Sequence, residues 1–153
     1  MGLYRGYFRN GVTGYKSRTT QITHKQMQLS NSEQRIPVII AGALGKMGRM
    51  VAQTVLNSDD CELVGAVDTN KEKEGNDIGL EIGLGDIQVP ITSDFEGSLC
   101  LASQSIRSPA VTGRAVLVDF THPKSVYEHT RAAIAYGVHP VIGTTGLTLE
   151  QIA

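Results

Sequence analysis

Neither sign of charge dominates this chain of 153 residues, in which 14 Lys and Arg face 15 Asp and Glu for a formal net charge of −1. That balance provides no electrostatic footprint for nucleic acid or an anionic membrane surface. Long apolar runs are missing too: none approaches the ~20 residues of a spanning helix, so the sequence predicts a soluble protein with no membrane partner. Cysteine is scarce. Cys61 and Cys100 show no CxxC or Cys/His ligand spacing, and Cys61 opens an apolar run where it acts as a small hydrophobe. The four histidines, His24, His122, His129 and His139, make no pair on one helix face. Neither a metal site nor a structural disulfide is expected.

What is present suffices for one core of ordinary domain size, but it is unevenly spread. Residues 1–35 carry Arg5, Arg9, Lys16, Arg18, Lys25 and Arg35 against the single acid Glu33, with many hydroxyl residues and no sustained apolar period. Such a segment builds no core. It reads as a disordered basic tail, an organelle transit peptide, or a start placed too far upstream; Met27, shortly before the first strand, favours the last.

From Ile36 the pattern becomes an alternation of strand and helix. "IPVIIAG" (36–42) is a β-branched buried strand, "KMGRMVAQTVLNS" (46–58) sets Met47, Met50, Val51, Val55 and Leu56 at helical spacing, and "CELVGAVD" (61–68) is a second strand. Residues 69–88, rich in charge and glycine, read as a long loop before a short strand "VPIT" (89–92). "AVLVDF" (115–120) and "VHPVIG" (138–143) are strands flanking a helix at 123–137, with Pro123 in its first turn, Val126, Thr130, Ala133 and Ile134 on one face, and Gly137 beyond its end. Thr148 and Gln151 have the form of a capping box that opens another helix, so the chain reads as interrupted inside an element. The alternation predicts an α/β fold, a Rossmann-like doubly wound parallel sheet spanning 36–153.

Gly42, Gly45 and Gly48 form G-x-x-G-x-x-G between the first strand and helix, where backbone amides and a helix N-terminus can face a pyrophosphate. A tight βα turn with a close helix contact would use the same glycines. Asp68 closes the second strand 20 residues after Gly48, where a carboxylate can bind an adenosine ribose, or else cap the strand end. Lys71 and Lys73 follow and are either solvated or placed for a 2′-phosphate, so NADH and NADPH are not separated. "VDFTHP" (118–123) offers Phe120 to a flat ring and Thr121 to its amide, and "GTTG" (143–146) adds two hydroxyls on the same edge of the sheet. Each could also be a plain strand-exit turn.

The motifs "GALGKMGR" (42–49), "VDFTHP" (118–123) and "GVHPVIGTTG" (137–146), in that order, resemble the 4-hydroxy-tetrahydrodipicolinate reductase (dihydrodipicolinate reductase) family, in wording that looks cyanobacterial. The resemblance covers residues 36–153 and is weakest across 96–114. It implies reduction of 4-hydroxy-tetrahydrodipicolinate by NADPH or NADH in the diaminopimelate route to lysine. It further implies that Gly42, Ala43, Leu44, Gly45, Lys46 and Met47 hold the pyrophosphate, with Lys46 at a usually basic position, and that Asp68 holds the ribose. Phe120 and Thr121 would form one wall of the nicotinamide site and Gly143, Thr144 and Thr145 the other, with Thr145 also approaching substrate.

The same resemblance implies a second α/β domain carrying a paired-histidine proton donor and a lysine that binds the dicarboxylate. None of these motifs is present in this sequence, so no catalytic residue is assigned, and His122, His129 and His139 are read as helix-start or surface residues. The expectation is a cofactor-binding half with little turnover of its own. A non-catalytic dinucleotide-binding fragment or module is the other reading; aspartate or homoserine dehydrogenase explains "GTTG" together with "VDFT" less well. Family members form homotetramers through the second domain, so this chain is expected to be monomeric or to aggregate. A cytoplasmic location is implied, or a plastid if residues 1–35 are a transit peptide.

Overall fold

The computed structural model describes residues 35–105, 114–146 and 148–152. The basic N-terminal segment that drew three readings lies outside them, apart from Arg35. Five parallel strands form one sheet: β1 (Ile36–Ala41), β2 (Cys61–Val67), β3 (Ile91–Thr92), β4 (Val116–Asp119) and β5 (His139–Ile142), in the spatial order β3-β2-β1-β4-β5. The chain builds outward from β1 to β2 and β3, then crosses back to β4 on the other side. The point where the direction reverses lies between β1 and β4, the place where open α/β sheets bind ligands at their carboxyl edge.

Both sheet faces are covered, and the alternation along β1 shows how. Val38 and Ile40 point to one face, where Ala43, Ala52, Val55, Leu63, Ile78 and Ile91 complete a cluster beneath α1 (Lys46–Leu56) and α2 (Ile78–Glu81). Ile39 and Ala41 point to the other, with Leu99, Ala102, Leu117, Ala133 and Val138, beneath α3 (Phe95–Ser105) and α4 (Pro123–Ala135). Ile39, Ile40, Ile78 and Ile91 are fully buried, each contributing roughly 1.5–3 kcal/mol by transfer from water. The doubly wound α/β architecture expected from the sequence is thus the one observed.

Three elements differ from the pattern read in the sequence. On α1 the buried residues are Gly48, Ala52 and Val55, while Met47 and Met50 are exposed at 45% and 53%. The reason is distance: a Cβ on Gly48 would lie 2.1 Å from the Gly42 carbonyl oxygen, so the helix sits on the glycine loop through its smallest residues. The long loop at 69–88 contains a 3-10 turn at Lys71–Lys73 and the short helix α2. Asp77 holds this region together, its carboxylate accepting from the amides of Leu80, Ile87 and Val89 at 2.8 to 3.2 Å. Finally, α3 occupies part of the segment 96–114 where the resemblance is weakest and the sequence reading places no element, burying Leu99 and Ala102; residues 106–113 fall outside the described set.

The remaining helices keep their expected ends. Pro123 opens α4 and Val126 and Ala133 face the core, but Ile134 is 63% exposed and lies off that face. Gly137 takes φ +74 just past the helix end. At Thr148 the capping box is formed in both directions, Gln151 N–H donating to the threonine hydroxyl at 3.3 Å and Thr148 N–H to the Gln151 side chain at 3.0 Å, ahead of α5 (Leu149–Ile152). No helix among the described residues is long and apolar enough to cross a membrane.

Because α1 rests on the loop backbone, Gly48→Ala is expected to lower stability by about 1–3 kcal/mol or more. Urea unfolding followed by circular dichroism measures this, and an unchanged midpoint would contradict so close a seat.

Candidate functional site

Each loop at the carboxyl edge is held by the last carbonyl of a neighbouring strand. Val67 accepts from the amides of Gly42 and Ala43 at 2.9 and 3.1 Å, Ala41 from Phe120 at 3.1 Å, Asp119 from Gly143 at 2.9 Å, and Thr92 from Asp68 at 3.0 Å. The parallel ladder therefore continues one residue past the strands and sets the starts of the loops that carry the motifs. Gly42 turns with φ +78, a conformation open to glycine, and an added Cβ would lie 3.1 Å from the Phe120 carbonyl oxygen.

These loops enclose a cavity of about 410 Å³ lined by Gly42, Gly45, Lys46, Met47, Gly48, Phe120, Thr121, Pro123, Gly143, Thr144 and Thr145. Nine of the twelve residues singled out from the sequence meet there. Gly45 is the N-cap of α1, with no side-chain cap and no acid in the first turn, so the positive end of the helix faces the cavity uncountered. Across it, the Phe120 ring lies so close to Gly143 that a Cβ at that position would overlap it at 2.0 Å. The Thr144 hydroxyl donates to the Thr121 carbonyl at 2.9 Å, tying the two walls together.

The remaining three residues stand elsewhere. Ala43 is fully buried and Leu44 packs beside the same core cluster, so neither side chain lines the cavity. Asp68 lines an adjoining cavity of about 260 Å³ with Gly42, Thr69, Ser93, Phe95, Thr121, His122, Ser125 and His129. Its carboxylate accepts from the Leu44 amide at 2.9 Å and the Asn70 amide at 3.1 Å, so it anchors the glycine loop and caps the strand end. Lys73 is paired with Glu81 at 3.0 Å. Thr144 and Thr145, by contrast, each line two spaces, the 410 Å³ cavity and a larger, mainly apolar one of about 580 Å³ between α4, β5 and α5.

Two features escaped the sequence reading. Arg49 donates to the Leu44 carbonyl at 2.9 Å and to the Glu81 carbonyl at 2.7 Å, clamping the glycine loop to the end of α2. Asp119, fully buried, accepts from His129 Nδ1 at 2.8 Å, while the Thr121 amide donates to its other oxygen at 2.7 Å and the Thr121 hydroxyl joins that oxygen. His129 is therefore not a plain surface residue; its ring stacks on Phe95 with centroids 4.1 Å apart. The available signal was an aspartate in phase with the buried Leu117, which needs a partner. His122, in contrast, caps α4 through the Lys124 amide, and His139 is exposed at the start of β5.

Comparison with known proteins decides the family. A sequence model for the dihydrodipicolinate reductase N-terminus matches residues 36–153. The chain belongs to the dihydrodipicolinate reductase family. It is 66% identical over 118 residues to the 4-hydroxy-tetrahydrodipicolinate reductase of Parasynechococcus marenigrum (strain WH8102), covering 77% of this chain and 42% of the relative. To the protein of that name from Synechococcus elongatus (strain ATCC 33912 / PCC 7942 / FACHB-805) it is 51% identical over 117 residues, covering 76% and 41%. The chain thus spans about two fifths of the length of these curated relatives. Among solved structures, the dipicolinate-bound dihydrodipicolinate reductase from Paenisporosarcina sp. TG-14 superposes with a TM-score of 0.55 at 32% identity, over 77% of this chain and 40% of that one. A Rex-family repressor, RSP, matches with a TM-score of 0.53 at 15% identity, over 90% and 59% of the two chains, a likeness of fold alone. In dihydrodipicolinate reductase terms, this stretch is the dinucleotide-binding domain.

Burial pushes the Asp119 carboxyl up, but the hydrogen bonds from His129 and Thr121 outweigh it and hold the group below its ordinary value of 3.8. The unfolded chain then binds more protons in that range, so the stabilisation is complete above the ordinary value and is lost as pH falls through the folded one. Glu74, held down by the Ser93 amide, and Glu81, held down by Asn76 and Lys73, add to the same acid limb. Asp119→Asn is expected to flatten part of the decline in Tm below about pH 4 while lowering Tm at neutral pH. Thermal scans from neutral to acid pH test this; parallel curves for both proteins would contradict it.

Proposed function

We propose that residues 36–153 form the cofactor-holding part of a 4-hydroxy-tetrahydrodipicolinate reductase, which reduces its cyclic substrate to tetrahydrodipicolinate with NADPH or NADH in the diaminopimelate route to lysine. One observation carries the reading: three motifs far apart in sequence meet in a single cavity beside the switch point of the sheet. With the adjoining cavity that holds Asp68, it offers room on both sides of the glycine loop. The cradle is backbone, since a Cβ at Gly48 would overlap the loop and one at Gly143 would overlap Phe120. The uncapped end of α1 offers amides and a favourable dipole to a pyrophosphate.

In this reading the backbone from Gly42 to Met47 and the Lys46 side chain hold the pyrophosphate. Asp68, steadied by two amides, faces the adenosine ribose from the adjoining cavity. Phe120 and Thr121 on one side, and Gly143, Thr144 and Thr145 on the other, orient the nicotinamide, and Thr145 reaches toward substrate in the larger cavity. When bound, the reduced nicotinamide supplies the hydride. The contribution of these residues is alignment, because donor and acceptor must be held at contact distance and in register.

The reduction also consumes a proton, and the 4-hydroxyl of the substrate leaves as water, so that hydride and proton going in balance product and water coming out. His122 is engaged in capping, His129 is engaged with Asp119, and His139 lies at the amino end of β5, away from the loops. The proposal assigns proton delivery and the cationic grip on the substrate carboxylates to the part of the longer relatives that this match does not span.

Titration of the chain with NADH and NADPH, followed by nicotinamide fluorescence, is expected to show saturable binding of at least one. Gly143→Val, which drives a side chain into Phe120, is expected to weaken it about tenfold or more. No saturation by either nucleotide up to about 1 mM would overturn the dinucleotide reading. Steady-state reduction by this chain at a rate near that of a longer relative would overturn the assignment of proton delivery elsewhere.

A further inference from the structure

We infer that His129 is a positioning residue for the nicotinamide wall, acting through Asp119 and Thr121 without touching the cofactor; this rests on the dinucleotide reading above. The sequence of contacts begins with topology. Asp119 is the last residue of β4 and, two residues after Leu117, points to the face covered by α3 and α4, where it has no exposure. A carboxylate there needs a hydrogen-bond partner for each oxygen. One oxygen takes the amide of Thr121 at 2.7 Å and its hydroxyl; the other takes His129 Nδ1 at 2.8 Å.

His129 is itself fixed. It stands on α4, its ring stacked on Phe95 of α3 with an interplanar angle of 25°, so the nitrogen that meets Asp119 is aimed by packing between two helices. Thr121, whose hydroxyl also lies 3.5 Å from His129 Nδ1, passes the constraint on: it lines the cavity, and its carbonyl accepts the Thr144 hydroxyl at 2.9 Å from the opposite wall. The path His129, Asp119, Thr121, Thr144 thus connects the helix layer to both sides of the nicotinamide position. Without the donor on His129, one oxygen of a buried carboxylate loses the partner it has here. It is relieved by rotating or by taking up a proton, and either change releases the hydrogen bonds that place Thr121.

Because His129 also lines the cavity that holds Asp68, direct contact with the adenosine half is the competing account, and the two predict different losses. The test uses His129→Asn, whose amide nitrogen occupies the place of Nδ1, with His129→Gln, which moves that donor one carbon further out, and His129→Leu, which removes it. Each variant of the 153-residue chain is titrated with the reduced dinucleotide that the unsubstituted chain binds and with ADP-ribose, and its folding is checked by circular dichroism. For Leu and Gln, the expected loss is about tenfold or more for the dinucleotide and no more than about threefold for ADP-ribose, with Asn close to the unsubstituted chain. If Leu does not fold, the Asn and Gln pair decides alone. Equal losses for both ligands, no loss in Gln, or Asn as weak as Gln would overturn the positioning role. Failure of the unsubstituted chain to bind either ligand would instead overturn the dinucleotide reading on which this role rests.

Discussion

A parallel sheet ends in a row of carbonyls that no further strand residue satisfies, and here the site depends on how that row is used. Val67, Ala41, Asp119 and Thr92 each accept an amide from the first residue of a neighbouring exit loop. The cost of leaving such groups unpaired against a covered sheet thereby becomes a positional constraint on Gly42, Phe120, Gly143 and Asp68. Four loops that share no local sequence are brought into one register, and the order of strands decides which loop stands beside which. Placing β4 next to β1 sets the Phe120 carbonyl against Gly42.

Much of this was legible because it rests on local signals. β-branched runs ending in glycine mark β1, and Pro123 with Gly137 brackets the helix between β4 and β5. The capping box at Thr148 names its own partners. What was not legible depends on distances between elements. Apolar periodicity nominated Met47 and Met50 for the core, yet the helix approaches the loop through Gly48 and Ala52, because close contact selects small side chains over hydrophobic ones. The sequence reading places no element on "FEGSLCLASQS", although Phe95, Leu99 and Ala102 stand at helical spacing and pack on the core, because Ser and Gly interrupt that stripe. Asp77 organises its loop through amides ten and twelve residues away, a spacing that no turn rule contains.

The candidate site divides the same way. Glycines and the "VDFT" and "GTTG" loops were visible as motifs, and nine of the residues they named line one cavity. Asp68 shows the limit of motif reading: the two uses weighed for it, strand-end cap and ribose acceptor, are compatible. Its oxygens hold Leu44 and Asn70 while the residue still lines a cavity. Arg49 and His129 were invisible because each acts on a backbone or carboxylate supplied by another element.

Thr145 shows how little of the chemistry such a site needs to own. With Thr144 it lines both the smaller cavity and the larger apolar one, so a group in the first and a group in the second meet across these two threonines. The starts of the loops that line the first space are fixed by amides and carbonyls of the sheet edge. The second is bounded largely by side chains, among them Tyr127, Ile134 and Ile152 of the helices. A fold arranged in this way can keep the geometry of the first space while side chains beyond Thr144 and Thr145 change, since the strand register that sets the loop starts is made by backbone pairing, Ile142 with Asp119 included.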